Sequence, residues 1–107
     1  MTRSSTQPIA LAHEGPSVIR ASQIDAMVDW AGTWLYRSFG SDSQLLYIGV
    51  SSNLRERLRR HRQRAAWWPA AELIRLEPFA MEYLALDAER AAIRAERPQF
   101  NVRSAVR

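Results

Sequence analysis

Two side chains of an arginine-rich segment have the spacing expected of residues that act together. Arg57 and His61 stand four residues apart, so a helix through this segment presents both on one face. A guanidinium group can pair two of its donors with a phosphate and offset negative charge in a transition state. An imidazole can orient or deprotonate a nucleophile, because its pKa lies close to neutral pH. The pair therefore indicates chemistry at a phosphate group.

The charge distribution points to the same class of partner. Fifteen basic residues, all of them arginine, stand against eleven acidic ones, which gives a net charge of +4. The excess lies within ten residues, opposed there only by Glu56, and comprises Arg55, Arg57, Arg59, Arg60, Arg62 and Arg64. Arginine suits phosphate oxygens, so a polyanionic partner is one interpretation. A solvated helix face in an arginine-preferring composition is the other, and charge alone leaves both open.

Four further residues are candidates only when they are considered together. Tyr36 and Tyr47 stand in strand-like segments, where a tyrosine is usually part of the core. Glu89 has arginines nearby that would make ordinary ion-pair partners, and Asn101 is a typical turn residue after a proline. The order and spacing of these residues carry the argument, not any one of them.

The surrounding pattern predicts the elements that position these residues. Residues 34–39 and 45–50 read as a β-hairpin across a turn of small polar residues, and 73–79 reads as a third strand. Helices are expected from the N-cap Asn53 to about residue 66 and from about residue 82 to 96. The order ββαβα predicts an α+β fold, a small three-stranded antiparallel sheet with flanking helices.

The chain ahead of this pattern is expected to add one short helix. Residues 1–16 lack periodicity and are interpreted as a flexible tail, which leaves 17–107 as a single domain. Ser22 and Asp25 have capping-box spacing, which predicts a short helix that Gly32 stops. Trp67 and Trp68 precede a proline that ends the long helix. One of this pair is expected to fill the core, and Trp68 is the candidate for stacking on a base.

Composition excludes several other classes of protein. There is no cysteine, which rules out disulfides and cysteine-based zinc modules. No apolar run approaches the roughly 20 residues that span a membrane, and the N-terminus lacks the order of a signal peptide. A cytoplasmic protein with no membrane partner is the expectation.

Between residues 32 and 102 the sequence resembles the GIY-YIG nuclease family. The family's second signature stands intact as Tyr47-Ile48-Gly49, and its first survives in part as Trp34-Leu35-Tyr36. The segment 51–61 then supplies the family's Asn-Leu, arginine and histidine at Asn53, Arg57 and His61. Glu89 stands nine residues before a proline and twelve before Asn101, like the family's metal-binding glutamate and late asparagine.

The resemblance implies a catalytic set and a metal. Glu89 would hold one Mg²⁺ or Mn²⁺, which accepts one or two carboxylates and keeps several waters. Arg57 would stabilise the scissile phosphate, while Tyr47, with Tyr36 and His61, would activate water. Asn101 would tie the site together. The auxiliary nucleic-acid contacts expected are Arg55, Arg59, Arg60, Arg62, Arg64 and Trp68.

Two departures from the family pattern and several questions of substrate stay open. Trp34 replaces the glycine of the first signature, and Val50 stands where some members carry a lysine. DNA is the expected substrate, with RNA left open, and no appended reading head is evident. Specificity would then come from nucleic-acid shape, self-association or a protein partner. The alternative function is a catalytically silent nucleic-acid-binding module that uses the arginine-rich helix.

Overall fold

The computed structural model of the 107-residue chain describes residues 17–27 and 31–101. The strands are β1 (Val18–Arg20), β2 (Thr33–Phe39), β3 (Leu45–Ser51) and β4 (Leu73–Phe79). The α-helices are α1 (Leu54–Arg64) and α2 (Glu82–Glu96), and 3-10 turns span Ala21–Ala26 and Trp68–Ala70. The expected tail at 1–16 lies outside the described residues.

All four strands form one antiparallel sheet in the order β1-β4-β2-β3. The α+β class is confirmed, but the sheet has four strands rather than three. The additional strand, β1, pairs Ile19 with Ile74 of β4. Three residues are too few to show the alternation by which a strand is recognised in sequence, so this strand was missed.

Alternation along the central strand β2 divides the core between the two faces of the sheet. Trp34 and Tyr36 point to the face covered by α1 and the first 3-10 turn, where Leu54 and Leu58 are buried. Leu35 points to the opposite face, where it packs with Ala92 of α2. The two helices therefore cover different faces.

The first turn differs from the short helix predicted there. Residues 21–26 form a 3-10 turn that begins after Arg20, with no side-chain cap, so Ser22 lies inside the turn instead of capping it. The Ala21 N–H donates to the Glu72 carbonyl at 2.9 Å, which ties the start of this segment to the residue before β4. That long-range bond holds the backbone in place of the predicted capping box, and Val28 lies outside the described residues.

Both long helices form close to where the pattern predicts them. Asn53 occupies the N-cap position of α1, but its side chain makes no capping bond; instead its N–H donates to Ser51 Oγ at 2.9 Å. The helix ends at Arg64, two residues earlier than expected. Helix α2 ends where Arg97 turns left-handed, at φ 52°, before Pro98.

The segment after α2 returns along the outer edge of β3. The backbone N–H groups of Gln99 and Phe100 donate to the carbonyls of Leu45 and Leu46 at 3.1 and 2.8 Å. This pairing places Asn101 beside the strand that carries Tyr47, which connects the end of the fold to the candidate site.

Candidate active site

The first pair of candidate residues meets between β2 and α1. Tyr36 is fully buried, and its hydroxyl shares a hydrogen bond of 2.7 Å with Nε2 of His61. Burial, followed by the neighbouring Tyr47, raises the pKa of Tyr36 well above its ordinary value. The tyrosine is therefore held neutral, with its hydroxyl committed to the imidazole.

Tyr47 stands beside this pair and is more open. Its ring centroid lies 6.2 Å from that of Tyr36 and 5.1 Å from that of His61, in an edge-on arrangement. The Tyr47 side chain is only partly buried, so part of it is accessible to solvent. Burial and the Glu89 carboxylate raise the pKa of Tyr47, and the Arg57 charge acts in the opposite direction.

Gly49 explains why the second signature contains a glycine. It pairs with Tyr36 across β2 and β3, so the tyrosine ring lies against its backbone. An added Cβ would overlap the Tyr36 hydroxyl and lie 2.5 Å from Cζ and 3.0 Å from Cε2. These separations are far below the ordinary carbon–carbon contact of about 3.5–4.0 Å. The glycine makes room for the buried tyrosine.

Arg57 supplies the positive charge of the site. It lies one turn before His61 on α1, and its Nη1 donates to the Val50 carbonyl at 3.5 Å, a long bond. Its charge lowers the pKa values of Tyr36, Tyr47, His61 and Glu89. One guanidinium group therefore acts on all four of the other titratable candidate side chains.

Glu89, on α2, contributes a carboxylate whose charge interacts with the charges and hydroxyl groups of the other candidate residues. The side chain is half-buried, and burial raises its pKa, opposed by the charges of Arg90 and Arg57. Its negative charge in turn raises the pKa values of both tyrosines. Among the described residues Glu89 has no ion pair, because Arg90 pairs with Asp87 at 3.3 Å instead. A surface ion pair does not account for this glutamate.

Asn101 acts on the strand rather than on a reacting group. Its Oδ1 accepts from the Ile48 N–H at 2.8 Å, and its Nδ2 donates to the Ile48 carbonyl at 3.1 Å. The side chain is buried, 3% exposed, and closes both backbone groups of the residue between Tyr47 and Gly49. The expected tie is therefore present, and it fixes the backbone of the second signature.

The arginines of α1 divide between two flanks of the helix. At 100° per residue, Arg57 and His61 lie on one side of the buried Leu54–Leu58 stripe, and Arg55, Arg59 and Arg62 lie on the other. Asp25 accepts from Arg62 at 2.9 and 3.3 Å and from Arg59 at 3.3 Å. The structure does not bring Arg55, Arg59 and Arg62 to the tyrosines.

Arg60, Arg64 and Trp68 hold intermediate positions. Arg60 is exposed, and its charge reaches His61. Arg64 is exposed at the end of α1 and lines an open cleft on the outer side of the helix together with Arg59, Arg60 and Arg62. Trp68 is partly buried against the core that includes Tyr36. The role of all three in binding nucleic acid stays a prediction.

Trp34 shows how the chain accommodates the altered first signature. The residue is 2% exposed and packs in the core between the sheet and α1. Its Nε1 donates to the Ala31 carbonyl at 3.2 Å. The indole replaces the expected glycine without occupying the space of the tyrosines, because it packs in the core two residues before Tyr36 on β2.

Trp67 is the member of the site that sequence reasoning did not assign. Its ring stacks on Tyr47, with centroids 5.1 Å apart and planes inclined by 17°, and its centroid lies 4.9 Å from that of His61. The pair of tryptophans after a helix was the available signal, and it indicated one core residue and one residue that stacks on a base. The stacking partners depend on contacts that are distant in sequence.

The imidazole of His61 is surrounded by these rings. Burial, then the charges of Arg57 and Arg60, lower its pKa to about 4. The histidine is therefore neutral at physiological pH, so one of its ring nitrogens donates a hydrogen bond and the other accepts one.

The donor set bears on which metal the site suits. Among residues 17–27 and 31–101 no three His, Asp or Glu side chains come together. A half-buried carboxylate without an ion pair, next to a guanidinium group, fits a hard divalent ion that keeps its waters and shares a phosphate. Glu89 is the carboxylate with these properties.

Comparison with known proteins identifies the domain. A family model described as the GIY-YIG catalytic domain matches residues 32–102, about two thirds of the chain. No curated protein matches the chain. In the part of the chain that the structure describes, no helix is long and apolar enough to cross a lipid bilayer.

Proposed function

The chain belongs to the GIY-YIG family, a family of nuclease domains, and from that premise we propose that it is a metal-dependent DNA endonuclease. In this proposal Glu89 holds one Mg²⁺ or Mn²⁺, Arg57 binds the scissile phosphate, and Tyr47 activates the attacking water. Tyr36 and His61 keep Tyr47 correctly oriented toward the phosphate-binding site.

The observation that carries the proposal is the position of Glu89. Its carboxylate is half-buried, its charge raises the pKa values of both tyrosines, and it has no ion pair within the described residues. A bare carboxylate at that position repels phosphate, so a nucleic-acid site has no use for it unless a cation is present. A divalent ion bound there supplies a Lewis acid for the phosphoryl and leaving-group oxygens.

The surroundings of Arg57 support a role in binding the substrate phosphate. Its contact with the Val50 carbonyl is long, so the guanidinium keeps donors for a stronger partner. An arginine pairs two donors with two phosphate oxygens and offsets the charge that grows in the transition state. The same charge lowers the pKa of Tyr47, which favours its phenolate.

The two tyrosines differ in their access to solvent, and this difference supports different roles for them. Tyr36 is fully buried with its hydroxyl bonded to His61, so it cannot meet a substrate water. Tyr47 is partly open, and its ring lies 5.1 Å from the same imidazole between centroids. Tyr47 is therefore our choice for the base that takes a proton from water, and Tyr36 for the group that orients His61.

DNA is proposed as the substrate on the strength of the family, and RNA is an outcome of the test. Phosphate contacts from arginines give affinity and register but do not read sequence. A single site of this kind cuts one strand. Cleavage of both strands therefore requires two chains or two encounters, and self-association or a protein partner would supply specificity.

A binding module without catalysis is the second candidate. The basic helix α1 would serve such a protein equally well, since six of its eleven residues are arginine. Metal-dependent cleavage separates the two candidates, because binding alone does not need the Glu89 carboxylate.

The test is nicking of supercoiled plasmid by the full chain, with Mg²⁺, with Mn²⁺ and with EDTA. Glu89→Gln keeps the shape of the side chain and removes its charge, so we expect binding without cleavage. Glu82→Gln is the matched control, because Glu82 lies exposed at the start of the same helix. Parallel single-stranded, branched and RNA substrates identify the preferred nucleic acid. Binding without metal-dependent cleavage of any of them would reject the enzyme in favour of the binding module.

A further inference from the structure

Trp67 takes no part in the proposed reaction, yet it contacts two of the residues that do. Its indole stacks on the face of Tyr47 at 5.1 Å and 17°, and lies 4.9 Å from His61 between ring centroids. The residue is 3% exposed, so the indole does not reach solvent or substrate. Any effect of Trp67 on the reaction must therefore pass through Tyr47 and His61.

The backbone around Trp67 is fixed by the turn that follows α1. The Ala65 N–H donates to the His61 carbonyl at 2.7 Å, and the Trp68 N–H donates to the Ala65 carbonyl at 3.1 Å. The Ala70 N–H donates to the Trp67 carbonyl at 3.0 Å. These bonds link the indole position directly to the last turn of the helix that carries His61.

We propose that Trp67 is a positioning residue, whose indole holds the ring of Tyr47 and shields His61 from water. The proposal rests on the proposed function, because it assigns Trp67 to the orientation of the base in that reaction. Tyr47 stands on β3 at the edge of the sheet, and its ring lies at a steep angle of 66° to that of His61 and nearly parallel to that of Trp67. The indole thus supplies a broad surface against which the Tyr47 ring lies flat.

Orientation matters because the rate of such a reaction depends steeply on geometry. A misplacement of about 1 Å at a reacting group lowers a rate by about 10²-fold. A smaller apolar side chain at position 67 would leave Tyr47 free to tilt, while the phosphate-binding Arg57 would keep its place on α1. The loss is therefore expected in kcat, with KM little changed.

The shielding of His61 offers a second, independent measure. The groups that face the imidazole are Tyr36 on β2, Tyr47 on β3, Arg57 and Arg60 on its own helix, and Trp67 after it. Burial is the main reason that the pKa of His61 is low. Removing the indole admits water, so the pKa of His61 should rise toward its ordinary value.

The experiment compares Trp67→Leu, which keeps an apolar side chain, with Trp67→Phe, which keeps a ring. Ile19→Ala is the control for general loss of stability, because Ile19 is buried in β1, across the sheet from β3. All proteins are assayed at a temperature where circular dichroism shows them folded. The readouts are kcat, KM and the NMR titration of His61, which is distinguished from His13, the other histidine, with His61→Gln.

We expect Trp67→Leu to lower kcat by about 10- to 100-fold with KM within about threefold, and Trp67→Phe to restore most of the rate. The His61 titration should move upward in Trp67→Leu and not in Ile19→Ala. An equal loss of kcat in Ile19→Ala, or an unchanged His61 titration in Trp67→Leu, would overturn the proposal. A wild type that does not cleave would reject the proposed function instead, and the titration would then decide the role of Trp67 by itself.

Discussion

Replacement of Gly49 by alanine tests whether the buried tyrosine dictates the sequence of the second signature. The new Cβ would lie 2.5 Å from Tyr36 Cζ and overlap the hydroxyl. Tyr36 has little room to withdraw, because it is fully buried and hydrogen-bonded to His61 at 2.7 Å. Either the tyrosine gives up that bond or β2 and β3 separate locally.

The expected cost follows from these two alternatives. Overpacking of a core by one methyl group costs about 1–3 kcal/mol. Loss of the Tyr36–His61 hydrogen bond adds about 0.5–1.5 kcal/mol, and the better strand propensity of alanine returns about 0.5 kcal/mol. The free energy of unfolding should therefore fall by about 1–4 kcal/mol, a substantial part of the roughly 5–15 kcal/mol typical of a domain.

Urea denaturation followed by far-ultraviolet circular dichroism measures this difference. Gly40→Ala is the matched control, because a Cβ there would lie no closer than 3.3 Å to Ala70 O and to Gln44 Cγ. We expect it to change the free energy of unfolding by less than about 1 kcal/mol. Equal stability of the two variants would refute the argument that Tyr36 fills the space beside Gly49.

A double-mutant cycle then identifies the atom responsible. Tyr36→Phe removes the hydroxyl that the new Cβ would overlap, and with it the bond to His61. Combined with Gly49→Ala, it should give less destabilisation than the sum of the two single changes, by about 0.5 kcal/mol or more. Strict additivity would mean that the added methyl group meets something other than Tyr36.

Two further predictions concern the charge on α1. Asp25→Asn releases Arg59 and Arg62 for contact with phosphate, so the slope of log K for DNA binding against log salt concentration should become steeper by about 1–2. The control is Asp42→Asn, which changes an acid with no ion pair among the described residues and should leave the slope unchanged. Equal slopes for the two variants would show that these arginines do not meet phosphate. The pKa of His61 is lowered by burial to about 4, below its unfolded value, so its contribution to stability is complete above about pH 6.5 and is lost as pH falls toward 4. Because His61 is only partly buried, the expected effect is moderate: between pH 7 and 4.5 the free energy of unfolding of wild type should fall by about 1–2 kcal/mol more than that of His61→Gln. Urea titrations of both proteins measure this difference, because the effects of the carboxylates cancel between them. Parallel losses in the two proteins would contradict the assigned burial.

Local pattern was sufficient for the elements that carry the site. The strand of Tyr47 and the helix of Glu89 begin and end within a residue or so of their predicted bounds, because each has a clear period and a clear stop. The spacing of Arg57 and His61 correctly placed both on one helix face. These features depend on residues close in sequence, which is why they could be predicted.

Features that depend on distant residues could not be read in this way. The hydrogen bonds from Arg59 and Arg62 to Asp25 join positions 34 and 37 residues apart, and no local sequence pattern predicts them. The stack of Trp67 on Tyr47 joins a turn to a strand 20 residues away. Likewise, nothing about the sequence around Gly49 reveals which ring occupies the space beside it. In each case the residue type could be read from the sequence, but its contact partner depends on the tertiary fold.

The segment ahead of the family match takes part in setting the geometry of the site. Residues 17–27 precede the matched region, yet Ile24 is fully buried in the same core as Leu54 and Leu58 of α1. Asp25, in the same turn, holds the opposite flank of that helix through Arg59 and Arg62. Contacts at the buried stripe and at one flank leave the helix little freedom to rotate about its axis. A rotation by the 100° that separates successive residues would carry His61 away from Tyr36. The N-terminal turn thus stabilises the orientation in which Arg57 and His61 face the tyrosines, so the candidate active site depends on more of the chain than the matched domain alone.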